Sequence, residues 1–456
     1  MSEFSVRGTR VVVVGGARSG VAAAHLLVRR GAEVTLNDRR PALDAAADLA
    51  AAGVRVVLGS HPAEVFESAD LIVLSPGVPA NHEAFAAARA AGVPIVGEVE
   101  LASRWLRGRI IAITGTKGKS TTTALTGKIL ERAGRHVMVG GNIGSPLSGQ
   151  VDASRPDSLH VVEVSSFQLE TADTFHPWIA ALLNLSADHL DRHADFAEYA
   201  GAKARIFTRQ TESDWAVINA DDPHTLELAR RGRAQVRRFS LHATAGADVS
   251  VAEGLVVERT AAGSQPLMRT SDVRLLGTHL LADVLAAAAI TRLAGAEARH
   301  IAEAVAEFRG LEHAMEWVAD IAGVRYVNDS KATNVDAVRQ AISTFDATLV
   351  VVMGGRYKGG DFGSLRDLLV ARHATVVAIG EAAPLIREAL APAVAVADAV
   401  SMTDAVRAAR AAAGGTGTVL LAPGCASFDM FTDYAARGRA FKDAVARLQG
   451  AGEGAA

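Results

Sequence analysis

Ile110-Ile111-Ala112-Ile113-Thr114-Gly115-Thr116-Lys117-Gly118-Lys119-Ser120-Thr121 is the stretch on which the fold turns. Four apolar residues read as a buried strand, Gly115–Ser120 as a turn, and Thr121–Ala133 as a helix stopped by Gly134. The long phosphate-loop pattern needs a glycine five positions before Gly118, where Ile113 stands. The compact Gly-x-x-Gly-Lys-Ser form still has a strand before it and a helix after it. Its amides can cradle phosphates, Lys119 can reach the β and γ oxygens, and Ser120 can ligate Mg²⁺. The loop therefore predicts ATP or GTP, bound through Gly115, Thr116, Lys117, Gly118, Lys119, Ser120 and Thr121.

Upstream, the chain opens as a βαβ unit. Val11–Val14 is apolar, a helix runs from about Gly20 to Arg30, and Val34–Leu36 ends at Asp38, with further strand signals at Val54–Leu58, Leu71–Leu74 and near Val93–Val96. The turn Gly15-Gly16-Ala17-Arg18-Ser19-Gly20 sits where amides and the helix dipole favour a phosphate. Ala17 replaces the second glycine of the dinucleotide fingerprint, so three readings stand: a nucleotide or diphosphate site, an NAD site, or a structural turn. Downstream strands are expected at Leu159–Val164, Ile179–Leu185 and Trp215–Ile218, then a short β-rich addition around Ser240–Leu276 and a helix over Leu280–Ala294. A third unit begins near Gly310, with strands at Val324–Val327, Thr348–Met353, Val376–Ile379 and Thr418–Leu421. Strands alternating with helices imply parallel sheets covered on both faces.

Length and composition narrow the classes. At about 150 residues per domain, 456 residues suggest three domains. A net charge of −3 leaves no basic footprint for nucleic acid or an anionic membrane. A hydrophobic fraction of 49% against 21% charged excludes wholesale disorder. The single cysteine, Cys425, excludes an intramolecular disulfide framework and suits a reducing compartment. The N-terminal stretch has no secretory apolar region, and no apolar run approaches the ~20 residues that span a bilayer. Of 47 basic residues only Lys117, Lys119, Lys128, Lys203, Lys331, Lys358 and Lys442 are lysines. Five of the seven fall inside motif segments, and lysine, unlike arginine, has an amine that reacts when neutral.

Further polar runs follow strands. Glu163 ends one, where phosphate-loop folds place a Mg²⁺ partner, and Asn184-Leu185-Ser186-Ala187-Asp188-His189-Leu190-Asp191-Arg192-His193 follows the next. Lys203 lies in the helix after that. In the third unit, Asn328-Asp329-Ser330-Lys331-Ala332-Thr333-Asn334, Gly354-Gly355-Arg356-Tyr357-Lys358-Gly359-Gly360-Asp361-Phe362 and Ala422-Pro423-Gly424-Cys425-Ala426-Ser427-Phe428-Asp429 each follow a strand, as loops of one crevice would. Cys425 reads either as a nucleophile or as a small buried residue, and no activating His–Asp pair stands beside it in sequence.

In order, Ser75–Gly77 (SPG), GTKGKST, Gly140–Gly144 (GGNIG), Ser165–Glu170 (SSFQLE), DHLDRH, NDSKATN, GGRYKGGDF and PGCASFDMF resemble the Mur ligase family over nearly the whole chain. The NDSKATN loop matches the branch that adds D-glutamate. The resemblance implies an α/β protein of three domains, two Rossmann-like parallel-sheet domains flanking a central P-loop ATPase domain, at 1–97, 98–308 and 309–456. It implies a cytoplasmic, monomeric, ATP-dependent amide ligase of peptidoglycan precursor synthesis, joining D-glutamate to UDP-N-acetylmuramoyl-L-alanine through an acyl phosphate. Arg18, Ser19, Asp38, Arg39, Gly77, Asn142 and His189 would meet the UDP substrate. Asp329 and Lys331 would add to the ATP site, and Thr333, Lys358, Ser427 and Phe428 would line the D-glutamate pocket. Ser120, Glu163, His189 and Lys203, the last as a carbamate, match the positions that hold two Mg²⁺ ions, and Lys119, His189 and Lys203 match the catalytic set. Three positions depart from the family pattern: Leu280 and Asp283 stand where asparagines are usual, and Ala314 where an arginine is, and the resemblance sets all three on the adenine and ribose side of the ATP site. A nicotinamide-dependent dehydrogenase would leave the second glycine loop idle. A catalytically silent nucleotide-binding protein is the reading the three departures favour.

Overall fold

Val11–Val14 are all buried, the pattern of a strand covered on both faces. They form the body of β1 (Arg10–Val14), which lies between β2 (Glu33–Asp38) and β4 (Leu71–Leu74) in a five-stranded parallel sheet completed by β3 (Arg55–Leu58) and β5 (Ile95–Gly97), ordered β3-β2-β1-β4-β5. This is a computed structural model, and it describes residues 4–186, 188, 192–242, 246–274, 278–345 and 348–453.

The second sheet contains β6 (Arg109–Thr114), β7 (His136–Gly141), β8 (Ser158–Glu163), β9 (Ile179–Leu182), β10 (Trp215–Asn219), β11 (Gln235–Ser240), β12 (Val249–Ala252), β13 (Leu255–Thr260) and β14 (Gly263–Arg269). Its order is β14-β13-β12-β11-β10-β9-β6-β8-β7, parallel except for the antiparallel β12–β13–β14 end. The third sheet contains β15 (Glu316–Ile321), β16 (Val324–Asn328), β17 (Leu349–Gly354), β18 (Thr375–Ile379), β19 (Ala395–Ala399) and β20 (Gly417–Leu421), ordered β15-β16-β20-β17-β18-β19. Only the β15–β16 pair in it is antiparallel. The expected α/β architecture with parallel-dominated sheets is present. Contacts divide the chain into two compact units, Met1–Asp272 with Leu281–Ala306, and Val273–Leu280 with Glu307–Ala456.

In the first two sheets the chain grows outward on both sides of one strand. β1 has β2 on one side and β4 on the other; β6 has β8 and β9. Crevices at the carboxyl ends of such strands are where open α/β sheets bind ligands. Two details differ from the sequence reading. The helix after β6 starts at Lys119 rather than Thr121, and the one after β1 at Arg18 rather than Gly20, because each turn tightens directly into its helix. β7, β15 and β19, all at sheet edges, carry no sequence signal of the buried kind.

Within the first unit the helix Glu98–Ser103 links the first two sheets through a single carboxylate. Glu100, fully buried, accepts the backbone N–H groups of Asp173 (3.0 Å), Thr174 (3.0 Å) and Phe175 (2.9 Å), the Thr174 hydroxyl, and Arg104 Nε (2.9 Å). Charge-assisted bonds of this kind satisfy an ion that burial would otherwise make costly.

Candidate active site

Beneath the first turn, a Cβ at Gly20 would lie 1.8 Å from the Gly15 carbonyl, so only glycine allows the helix to start this close to β1. The Gly16 N–H donates to Asp38 Oδ2 (2.6 Å), and Arg40 forks the same carboxylate through Nε (3.0 Å) and Nη2 (2.7 Å). The Arg40 guanidinium holds the Asp38 carboxyl well below the usual carboxylate range. Gly15, Asp38, Arg39, Arg40, Pro41, Gly59, His61 and Val78 line a cleft of about 690 Å³. Asp38 and Arg39 are thus together, while Arg18 and Gly77 are exposed and Ser19 is half-buried at the same carboxyl edge. His61, which sequence reading passed over, joins them through a hydrogen bond to Asn37 Oδ1.

The second loop begins where β6 ends. Gly118, with φ +80°, precedes the helix in the left-handed region, where a side chain would be strained. Lys119 Nζ folds back to donate to the Gly115 and Thr116 carbonyls (2.9 and 2.8 Å). From the helix Phe196–Ala204, Lys203 Nζ reaches the same Gly115 carbonyl (2.8 Å) and lies 4.7 Å from the centre of the Tyr199 ring. Two ammonium groups therefore share one carbonyl. Burial, with the Lys119 charge second, pushes the Lys203 amine down to about 7. Tyr199 in turn pairs with Thr116 Oγ1 (3.0 Å), fixing the loop against that helix.

Glu163 pairs across from Ile113 in the β6–β8 register, which brings it to the loop's edge of the sheet. Its Oε1 accepts from Asn142 Nδ2 (2.7 Å), whereas Oε2 is buried without a hydrogen-bond partner among the described residues. A buried, orphaned carboxylate oxygen is a hard donor of the type Mg²⁺ prefers, and Ser120 lies half-buried in the first helical turn nearby in the fold. The residues present fit the ion. His189 lies outside the described residues.

Asp283 belongs, by the family resemblance, to the ATP site, and the structure sets it against the phosphate loop. It is 4% exposed, and a Cβ at Gly118 would stand 2.0 Å from its Oδ1, so the carboxyl abuts the phosphate loop. Burial raises it well above the ordinary carboxylate value, which favours the neutral acid. Leu280 is buried, and Ala314 is half-buried in a turn bridged by Leu311.

In the second unit the three polar loops converge. Asp329 N–H donates to the Leu421 carbonyl (2.8 Å), Gly354 N–H to Pro423 (2.8 Å), Gly424 N–H to Ala332 (2.8 Å), and Arg356 and Ala426 exchange a pair of backbone bonds (2.9 and 3.0 Å). Lys358 Nζ stands 3.4 Å from Thr333 Oγ1, while Ser427 is buried and Phe428 is 63% exposed. Lys331 is exposed, and burial pushes Asp329 up to about 6. Cys425 is fully buried and its thiol is pushed up to about 11, so it is no thiolate and no nucleophile at neutral pH. The second reading of that residue stands.

Comparison with known proteins adds the lineage. Residues 9–97 match the family description Mur ligase MurD-like, N-terminal domain; residues 113–291 match Mur ligase middle domain; residues 313–425 match Mur ligase, glutamate ligase domain. The chain is 46% identical over 453 residues, 98% of each chain, to a protein of Acidobacterium capsulatum named UDP-N-acetylmuramoylalanine--D-glutamate ligase. It is 43% identical over 448 residues to a protein of the same name from Koribacter versatilis, covering 98% of this chain and 99% of the other. Among solved structures it resembles the UDP-N-acetylmuramate-alanine ligase of Thermotoga maritima, with a TM-score of 0.55, 19% identity, and coverage of 97% of this chain and 100% of that one. At that identity the likeness speaks for the fold.

Proposed function

Because the chain belongs to the Mur ligase family, we propose that it is the ATP-dependent ligase that joins D-glutamate to UDP-N-acetylmuramoyl-L-alanine. It would act in the cytoplasm as a monomer, in peptidoglycan precursor synthesis, with the chain organised as domains 1–97, 98–308 and 309–456. One observation carries the substrate assignment: identity of 46% across 98% of the chain to a protein bearing that name. The loop geometry supports the nucleotide, and among the described residues no helix is long and apolar enough to cross a membrane.

The chemistry follows from what a carboxylate lacks. The alanyl carboxylate is a poor electrophile, so one of its oxygens attacks the ATP γ-phosphorus, ADP leaves, and an acyl phosphate forms. The neutral amine of D-glutamate then attacks the acyl carbon, a tetrahedral intermediate forms, the nitrogen gives up a proton to solvent, and phosphate departs as the C–O bond breaks. Lys119 serves the transferring phosphoryl group by exchanging its two backbone carbonyl partners for phosphate oxygens. Gly115, Thr116, Lys117, Gly118, Ser120 and Thr121 wrap the nucleotide. Arg18, Ser19, Asp38, Arg39, Gly77, Asn142 and His189 hold the UDP substrate, and Thr333, Lys358, Ser427 and Phe428 the amino acid.

Ser120, Glu163, His189 and the carbamate of Lys203 would hold two Mg²⁺ ions, which when bound supply charge neutralisation and Lewis-acid polarisation. The carbamate arises when the neutral amine of Lys203 bonds to the carbon of CO₂ and loses a proton. An amine pushed down to about 7 offers its neutral form at physiological pH, which supports this assignment. Lys203→Ala is expected to lower kcat by at least about a hundredfold, with partial recovery on adding bicarbonate or acetate. Unaltered turnover in that variant would remove Lys203 from the mechanism.

The decisive experiment measures phosphate release with ATP and each substrate alone and together. Release that needs both UDP-N-acetylmuramoyl-L-alanine and D-glutamate is the expected result, with the amide product seen by mass. Release independent of D-glutamate, or none at all, would overturn the proposal.

A further inference from the structure

The helix Tyr434–Glu453 buries an arginine that no part of the proposed chemistry uses. Arg437 is 2% exposed. Its Nε donates to Ser330 Oγ (3.0 Å), Nη2 to the Ser330 carbonyl (2.9 Å), and Nη1 to the carbonyls of Cys425 (3.1 Å) and Gly354 (3.4 Å). Among the described residues no carboxylate lies within ion-pair distance of it. A buried cation without an ion-pair partner is an expensive arrangement, tolerable here because oriented dipoles surround it.

The four acceptor atoms belong to the loops following β16 and β20 and to Gly354, the last residue of β17, from which the third loop departs. Each precedes a residue placed in the D-glutamate pocket by a few positions: Ser330 is three before Thr333, Gly354 four before Lys358, and Cys425 two before Ser427. The helix can approach this closely because its next residue is Gly438, where a Cβ would meet His313 Nδ1 at 2.2 Å. A Cβ at Gly355 would lie 2.2 Å from the Ala426 carbonyl and 3.1 Å from Arg437 Nη1.

We propose that Arg437 is the positioning residue of the amino-acid pocket: its guanidinium sets the spacing of three loops whose downstream side chains bind D-glutamate. A planar fork of five N–H donors can reach all three loops at once; an ammonium cannot. The buried positive charge also stands behind a pocket meant for a dicarboxylate, and its field favours that ligand. This inference rests on the placement of the D-glutamate pocket in the second unit.

The test is steady-state kinetics of the full chain carrying Arg437→Lys, with each substrate varied in turn. The expected result is a rise of about tenfold or more in KM for D-glutamate, with KM for the UDP substrate unchanged. A purely structural role would reduce the folded fraction, lowering kcat or Tm with no change in the D-glutamate KM; that outcome overturns the proposal. If Arg437→Lys does not fold, Ser330→Ala removes the hydroxyl that Nε donates to, and a rise of about threefold in the same KM is expected, none being the contrary result. Lys358→Ala separates the two layers of inference. Its D-glutamate KM should rise too; if it does not, the pocket assignment fails, and this proposal fails with it. A rise in Lys358→Ala without one in the Arg437 and Ser330 variants overturns the positioning role alone.

Discussion

Single residues show where charge and burial meet. His160 is fully buried in the first unit, its ring nitrogens paired with Ser154 Oγ (2.8 Å) and Gln150 Oε1 (3.0 Å). Burial, with His136 second, pushes it down to about 4, against an ordinary value of 6.5. Between those values the unfolded chain binds the proton and the folded one does not, so stability falls as pH drops from 6.5 towards 4. The His160→Gln variant is expected to lose up to about 2 kcal/mol of that pH dependence, measured by urea unfolding at pH 7.5 and pH 5. An equal decline in both proteins would exclude the residue as the source. At this scale Lys119, Ser120 and Glu163 were legible because a glycine turn between strand and helix has few other uses. His61 and Arg437 were not, since nothing local in sequence says which loop a distant helix or turn will touch.

Elements depend on bonds that cross between them. The helix Glu98–Ser103 joins two sheets through Glu100, and removing that carboxylate takes the acceptor from three backbone N–H groups and a hydroxyl, the Phe175 N–H among them buried, and leaves the half-buried Arg104 without its partner. Glu100→Ala is therefore expected to destabilise the first unit by about 3–5 kcal/mol, whereas Glu100→Gln, which still accepts through its amide oxygen, should lose less. Chemical denaturation of the three proteins would check the order, and equal stability of all three would refute it. The central strands β1, β6, β8, β17 and β20 were readable as apolar runs, because a strand buried on both faces can hold little else. β7, β15 and β19 were not. Each closes a sheet edge, where half-exposure breaks the run: β19 is Ala395-Val396-Ala397-Asp398-Ala399 with no fully buried residue. Helix starts were shifted by two residues at Arg18 and Lys119, where the turn itself supplies the first helical residues.

For the whole molecule, the three sheets distribute over two compact units, and the sequence announces three strand–helix alternations without saying which of them share a core. That grouping comes from contacts such as those of Glu100 and from the salt bridges of Arg29 and Arg30 to Asp152, which lie far apart in sequence. The sole sulfhydryl, at the knot of loops held by Arg437, has a consequence for measurement. With every other position silent to thiol reagents, the labelling rate of native Cys425 is a stopwatch for transient opening of the second unit alone. Its reaction with a disulfide reagent should be slow in the native protein, slower with saturating D-glutamate, and fast in denaturant. Prompt labelling of the native chain would mean that this region opens far more readily than its packing allows. One buried sulfur thus lets an observer time the breathing of one half of the molecule while the other half stays dark.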